Sequence, residues 1–412
     1  MTDQERRGWF IVASLFTTLV FVFGGGYNTV PVFIPALIKS FGWSRAQVSL
    51  LPSVLAVASG LSALIVGRLL DRIEARVVMI GGVTAAALAF FCASRMNSFP
   101  PMLVAYLLLG VGISAGTLAP ASFVVANWFG DRRRGIALGI VMTGTTVGAM
   151  VMTQVASRAI SYSGWRAAYV LLGAPMLLLA IPAILATVRS RPPGGAKLTV
   201  AQAGELLDGL ETAAALRTPS FWLITYTYFA YFFGATGTVF HLIAALLDLG
   251  YKAQSGAWVL SACFGFASLG KITLGLLADR TSGRVAMAVN FGGQALGVCA
   301  AHYLLHMPFL LLFIVSFGMT QGAPIALAPV MIVESLGLKR YGSLLGLVSI
   351  AGTVGAATGP VIAGRIHDLT SSYSGAYELF LVTNILGVIA ALSCRPYKTL
   401  QATGTADIAA TA

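Results

Sequence analysis

Apolar stretches of roughly twenty residues recur along this chain, separated by clusters of charge and by Gly, Pro and Ser. Twelve stand out, near residues 10–37, 46–67, 77–95, 101–128, 136–159, 167–188, 220–249, 256–278, 285–305, 308–334, 343–364 and 375–394. About 20 apolar residues carry an α-helix across the hydrocarbon layer of a membrane. Lipid leaves no partner for an open backbone, and the alternating pattern of a β-barrel is missing from the sequence, so the stretches predict twelve transmembrane helices. The first follows a short charged head, MTDQERRGW, and runs past the length of a signal-peptide core without a small-residue cleavage site. It reads as a retained span.

Composition agrees with the pattern. Of 412 residues 57% are hydrophobic and 10% charged, too few charges to clothe a soluble protein of this length. The net charge of +12 would suit a nucleic-acid partner, but its distribution argues for a bilayer instead. Eighteen Lys and Arg residues, among them Arg6, Arg68, Arg72, Arg132, Arg189, Arg217, Arg280, Arg284, Arg340 and Arg395, fall at one set of loop ends. Only seven, Lys39, Arg45, Arg95, Arg158, Arg166, Lys252 and Arg365, fall at the other. The positive-inside rule then puts both termini in the cytoplasm, with no nucleic acid expected. Cys92, Cys263, Cys299 and Cys394 lie in or beside apolar spans without a C-x-x-C pair, so neither a metal nor a cofactor is expected.

The chain also contains its own second copy. GRLLDRIEAR after span 2 returns as GLLADRTSGR after span 8, with Asp71 and Asp279 offset by 208 residues. GIALGIVMTGTTVGA in span 5 returns as GSLLGLVSIAGTVGA in span 11, with Gly148 and Gly355 offset by 207. Between the halves lies the longest polar segment, opened by PPGG and followed by a helical pattern, LTVAQAGELLDGLETAAAL. The expected organisation is a six-helix bundle over 1–188, a cytoplasmic connection with a short helix over 189–219, a second six-helix bundle over 220–396 and a tail over 397–412. Two parallel six-span repeats resemble the major facilitator superfamily, an all-α membrane fold with its substrate site near the midplane between pseudo-symmetric halves. In the repeated loop motifs, Gly67 and Gly275 would permit close helix approach, while Asp71, Arg72, Asp279 and Arg280 would pair with neighbouring helix ends and latch one conformation. These six residues read as gating parts.

Within that superfamily the likeness narrows. RRGW at span 1, the F-x-W-S-x-x-x-V-S junction at Phe41 to Ser49, WFGDRRRGIALGIVMTGTTVG at Trp128 to Gly148, SGWRAAYVLLG at Ser163 to Gly173 and RTPSFW before span 7 together resemble the monocarboxylate transporter family, close to the oxalate/formate antiporter branch. The likeness covers all twelve spans and is most specific in the first six.

Lys271 interrupts FGFASLGKITLGLLADR in span 8, and a charge at bilayer depth normally faces a cavity or a partner. The competing reading is a lysine that snorkels, since Asp279 lies about two turns further on. Resemblance to the monocarboxylate transporters favours the functional one. Their span 8 carries a cation followed four positions later by Gly, held to bind the substrate carboxylate, and Lys271 with Gly275 fills that pattern. Lys offers a point charge in place of the Arg fork, which implies a looser or smaller carboxylate site. Two departures weaken the family's proton coupling here: Ala267 stands where the acidic residue is expected, and Asn28 where a span 1 lysine is expected. All fourteen acidic residues lie at span ends or in loops, so a buried carboxylate relay is missing.

Further candidates follow from spacing. Thr227, Tyr231, Gly234, Thr238 and His241 share one face of span 7, a polar stripe that reads either as cavity lining or as interhelical hydrogen bonding. Tyr27 and Asn28 follow the Gly24-Gly25-Gly26 break in span 1, where local backbone satisfaction is the alternative. Thr117 in span 4 and Gln321 in span 10 complete the candidate substrate site, whereas Asn290 and Gln294 read as packing contacts. One buried cation suits one carboxylate; a dicarboxylate would want a second, and span 11 has none.

The sequence offers no nucleophile elbow, phosphate loop or metal-ligand cluster, so an enzyme or an ATP-driven pump is disfavoured. A channel fits paired gating motifs less well than rocking halves do. The reading is a secondary carrier moving a small organic anion, a monocarboxylate such as lactate or pyruvate, by alternating access with proton symport. The alternatives are an anion exchanger of the oxalate/formate or cyanate-permease type, or a carrier of another metabolite or drug. With short termini and no targeting segment, a bacterial inner membrane is the expected location, and a monomer the expected state.

Overall fold

The structure is a computed structural model, and it describes residues 3–129, 131–190 and 209–397. The 198–208 part of the expected central helical pattern and the expected tail beyond 397 therefore lie outside the described residues, as does the side chain of Asp71.

Sixteen α-helices are found among the described residues, and the breaks between them fall where the sequence weakens the helix. Span 1 is α1 (Asp3–Thr18), a π-helical turn (Leu19–Gly24) and, after the Tyr27–Thr29 turn, α2 (Val30–Phe41). Span 2 is α3 (Arg45–Arg72), started by a capping box in which the Ser44 hydroxyl accepts from the Gln47 N–H while the Gln47 side chain accepts from the Ser44 N–H, each at 3.1 Å. Span 3 is α4 (Ala75–Ala93). Span 4 is α5 (Phe99–Gly116) and α6 (Leu118–Trp128), interrupted at Thr117, and Pro120 in the first turn of α6 needs no N–H partner. Helix α7 (Asp131–Pro175) holds spans 5 and 6, divided at Gly164 by a φ of 80° that suits only glycine well; α8 (Ile181–Thr187) ends the first half.

The second half begins with the short α9 (Thr212–Leu216) and continues through α10 (Pro219–Asp248), α11 (Ala253–Arg280) and α12 (Gly283–Ala300). Span 10 is a bent pair, α13 (Met307–Thr320) and α14 (Ala323–Leu336), meeting at 41°. Helices α15 (Tyr341–Thr370) and α16 (Ser374–Ser393) complete it.

Nine helices among the described residues are long and apolar enough to cross a membrane, or ten with the bent pair as one span. Dividing α7 at Gly164 adds one more. Helix α12 supplies the twelfth at 18 residues, less apolar because it carries Arg284, Asn290 and Gln294. The fold is thus an all-helical membrane architecture.

The sequence repeat reappears as a repeated contact. A Cβ on Gly148 would come within 2.5 Å of the Val20 carbonyl of span 1, and one on Gly355 within 2.4 Å of the Phe229 carbonyl of span 7. In both halves, glycine alone lets the fifth span of six lie backbone to backbone on the first. By contrast, Gly67 and Gly275, expected at close helix contacts, face open space: a Cβ on either would meet nothing within 4 Å. Asp279 and Arg280 beside Gly275 are exposed.

The chain separates into two compact units. One comprises Met1–Gly195 with Val239–Gly265 and Pro360–Ser371; the other comprises Ala196–Thr238, Phe266–Gly359 and Ser372–Ala412. The boundary differs from an even division at the central loop, because one end of spans 7, 8 and 11 packs with the first half. The second unit has its own core, which includes Ile224, Tyr231, Phe291, Met331 and Val348.

Candidate functional site

Lys271 lies on α11, eight residues before Asp279, and is half-buried. Its stem crosses the break in span 10. A Cβ on Gly322 would sit 2.6 Å from Lys271 Cε and 3.3 Å from Nζ, so the stem occupies the space that any other residue at 322 would fill. Gly322 has a φ of 84°, which opens α14 in the left-handed region. One residue earlier, Gly270 lets α11 lie against the last turn of α13, where an added Cβ would collide with the Met319 carbonyl.

Tyr231 of α10 fixes the same break. Its hydroxyl accepts the Gly322 N–H at 2.6 Å, satisfying a backbone donor that the bend would otherwise strand in a buried setting. Gln321 is 8% exposed, and its Nε2 has no hydrogen-bond partner among the described residues. Pro324 in the first turn of α14 has no N–H to satisfy there. An ammonium, a carboxamide N–H and the positive end of a 14-residue helix thus occur together at one break, an arrangement suited to a small anion. Three sequence candidates, Lys271, Tyr231 and Gln321, meet here. Gly322 was missed, although the QGAP stretch at 321–324 carries the breaker signal that could have found it.

Thr227, Gly234 and Thr238 belong to the same unit as Lys271, whereas Tyr27, Asn28, Thr117 and His241 belong to the other. Tyr27 stacks on Phe23 with ring centroids 5.5 Å apart and meets Phe240 edge-on at 5.8 Å. Asn28 donates from Nδ2 to the Thr145 carbonyl at 3.4 Å, tying the span 1 break to span 5. Thr117 is buried, and its hydroxyl donates to the Ile113 carbonyl at 2.6 Å, which relieves the break between α5 and α6. His241 is 1% exposed, with Nε2 2.8 Å from the Pro360 carbonyl and 2.9 Å from the Ser49 hydroxyl. A carbonyl can only accept, so Nε2 carries the proton. Asn290 and Gln294 are fully buried, and neither carboxamide has a hydrogen-bond partner among the described residues.

Comparison with known proteins agrees with this architecture. Residues 15–307 and 246–407 match the sequence pattern of the Major Facilitator Superfamily. The chain belongs to that superfamily. It is accordingly a multi-pass membrane transporter of a small solute and not an enzyme. Monocarboxylate transporter 13 of Rattus norvegicus is 27% identical over 381 residues, covering 90% of this chain and 85% of that protein. Monocarboxylate transporter 12 of Homo sapiens is 25% identical, covering 90% and 77%. Among solved structures, a bacterial homologue of the human lysosomal transporter Spinster superposes with a TM-score of 0.74 at 16% identity, over 99% of each chain. Distant homology to monocarboxylate transporters and the superfamily fold are therefore both established.

Proposed function

We propose that this transporter carries a small organic anion with one carboxylate, such as lactate or pyruvate, by alternating access with proton symport, and that Lys271 holds the carboxylate. The observation carrying this reading is the Lys271 stem lying across the Gly322 break, beside the N-terminus of α14. A cation held at that depth is favourable when it faces an anion, and the helix terminus adds partial positive charge of the same sign. Gln321 supplies a neutral donor at the same break. Tyr231 keeps the break in shape. Tyr27, Asn28, Thr117 and His241 would line the substrate path in the other unit, and Asp71, Arg72, Asp279 and Arg280 would latch the cytoplasmic end when it closes, with Gly67 and Gly275 leaving room for that approach. The relatives named as monocarboxylate transporters support the cargo class. The charge asymmetry supports cytoplasmic termini in an inner membrane.

The test is uptake of radiolabelled lactate and pyruvate into proteoliposomes, with and without an inside-alkaline gradient. Gradient-stimulated uptake that disappears in Lys271→Gln, while that variant remains monodisperse, is the expected result. Normal uptake by Lys271→Gln overturns the role of Lys271. A second reading, anion exchange, is favoured by one observation: every acidic residue lies at a span end or in a loop, so a carboxylate proton relay is missing from mid-span. Uptake that requires preloaded anion and ignores the gradient would select it.

A further inference from the structure

Gly164 divides the long helix α7 into spans 5 and 6 at the end of the spans opposite the termini. Both legs line an open groove of about 1090 Å³ that lies wholly within the first unit. Met150 and Val151 face it from span 5, Val170 and Leu171 from span 6, and Trp258 joins them from α11. These five side chains are 39–54% exposed, so the protein leaves the apolar walls uncovered. The polar groups beside them are already paired. Gln154 donates to the Ser261 hydroxyl at 2.8 Å, Gln254 donates to the Gln154 carboxamide oxygen at 2.8 Å, and the Ser157 hydroxyl donates to Gln254 at 3.1 Å. What the groove offers an occupant is therefore apolar surface along most of its length.

One end of the groove is different. Arg158, Tyr162 and Trp258 gather there, with the Arg158 guanidinium over the Trp258 ring at 6.0 Å from its centroid. Arg158 is exposed, and among the described residues no carboxylate lies within ion-pairing distance of it. Arg166, just beyond Gly164, is by contrast engaged: it lies over the Trp165 ring at 4.1 Å and donates to the Asn97 carboxamide oxygen at 2.6 Å. Trp and Tyr are the side chains that concentrate at the headgroup level of a bilayer. From Tyr162 down to Met150 the helix covers about 18 Å at about 1.5 Å per residue, more than half of a hydrocarbon layer of about 30 Å. The groove thus runs from headgroup level past the middle of the hydrocarbon, with its positive charge at the headgroup end.

We propose that this groove is a binding site for an anionic phospholipid, its phosphate on Arg158 and one acyl chain laid between the two legs of α7. Apolar contact alone would not select an occupant, because the surrounding lipid tails are as apolar as the groove. Charge does the selecting. A zwitterionic lipid brings an ammonium that competes with Arg158 for its own phosphate, whereas an anionic headgroup leaves its charge to the arginine. A second copy of this chain, docked symmetrically through the same face, would bring two Arg158 side chains together. The acyl chain touches both legs of α7 and Trp258 of α11 at once, so an occupied groove braces the first unit.

The experiment uses no transport substrate, so its failure is separable from failure of the proposed carboxylate site. Purified full-length protein in detergent is titrated with phosphatidylglycerol or phosphatidylethanolamine of identical chains, and bound lipid is counted by native mass spectrometry. The expected result is one phosphatidylglycerol retained over phosphatidylethanolamine by about fivefold, the factor that one arginine facing an anionic headgroup supplies. Arg158→Gln should reduce the preference to within twofold, while Arg95→Gln, at an exposed arginine outside the groove, should leave it unchanged. Val170→Trp, which fills the groove, should lower retention of both lipids. Equal retention of the two lipids by the parent overturns the proposal, since the groove then holds ordinary bilayer lipid. A preference that survives Arg158→Gln overturns it equally. Displacement of phosphatidylglycerol by millimolar inorganic phosphate would reduce the site to an anion contact without a tail, and a dimer that excludes the lipid would assign the groove to a second copy; either result refutes it.

Discussion

Replacing Gly322 by Ala tests the candidate site with a single methyl group. Two penalties are readable from the geometry. A left-handed backbone at φ 84° costs an alanine about 1–2 kcal/mol relative to glycine. The new Cβ would also stand 2.6 Å from Lys271 Cε, against an ordinary carbon contact of about 3.5–4.0 Å. The backbone cannot give way easily, because Tyr231 holds the Gly322 N–H at 2.6 Å, so the flexible lysine stem moves by about 1 Å. If that takes the ammonium from about 3 to about 4 Å from a bound carboxylate, the pair loses about 1.4 kcal/mol at an effective dielectric constant of about 20. That is about tenfold in Kd. The assay is scintillation-proximity binding of radiolabelled pyruvate to purified protein, with Gly292→Ala as control, because a Cβ on Gly292 meets nothing within 4 Å. A monodisperse Gly322→Ala protein that binds pyruvate within twofold of its parent would refute the reasoning that Lys271 reaches the anion across this break.

Two further predictions address the scaffold. Gly148→Ala and Gly355→Ala should each lower stability in detergent by about 1–3 kcal/mol through overpacking, while Gly346→Ala, where a Cβ meets nothing within 4 Å, should not; equal melting temperatures for all three would dismiss the repeated contact as a stabilising device. At the central loop, the Leu210 N–H donates to the Leu336 carbonyl at 2.9 Å, and Glu211 pairs with Arg340 and Lys339 at 2.8 and 3.0 Å. Hydrogen bonds from Arg340 and then Lys339 hold the Glu211 carboxyl below the usual range. The depressed group stabilises the docked loop above its ordinary value of about 4.3, and that contribution is lost as pH falls through the lowered one. Hydrogen-exchange protection at Leu210 should therefore be full at neutral pH, drop on acidification below about pH 4, and be weakened at neutral pH by Glu211→Gln; protection indifferent to both changes would rule the pairing out.

The spans were legible because lipid as a solvent imposes one rule on every helix, about twenty apolar residues with internal hydrogen bonds. The repeat was legible for a related reason. Close backbone packing admits only glycine, so Gly148 and Gly355 had to recur at the same register for both halves to pack alike. Span 10 hid its break because the apolar run from 308 to 334 outweighs the QGAP signal within it. Periodicity placed His241 on a polar face of span 7, but it could not say that the face meets Ser49 and Pro360. The contacts of Arg45 with Asp248 and Asp368 were invisible from sequence altogether. Arg45 stands 203 residues from Asp248 and 323 from Asp368, and in each local stretch it reads as an ordinary loop charge.

A proton-coupled carrier needs titratable groups that change partners during transport, yet its mid-span positions hold no carboxylate. Four histidines are the side chains whose ordinary titration falls near neutral pH. His302 and His306 interact locally within the second half, with Val298, Tyr377 and Phe309. His241 and His367 touch groups whose contacts must break if the sequence halves part. Of these two, His241 already spends its Nε2 proton on a carbonyl, while His367 faces a carboxylate whose other oxygen belongs to Arg45. That carboxylate is already charge-paired with Arg45, so a proton on His367 would face a partner that is spent.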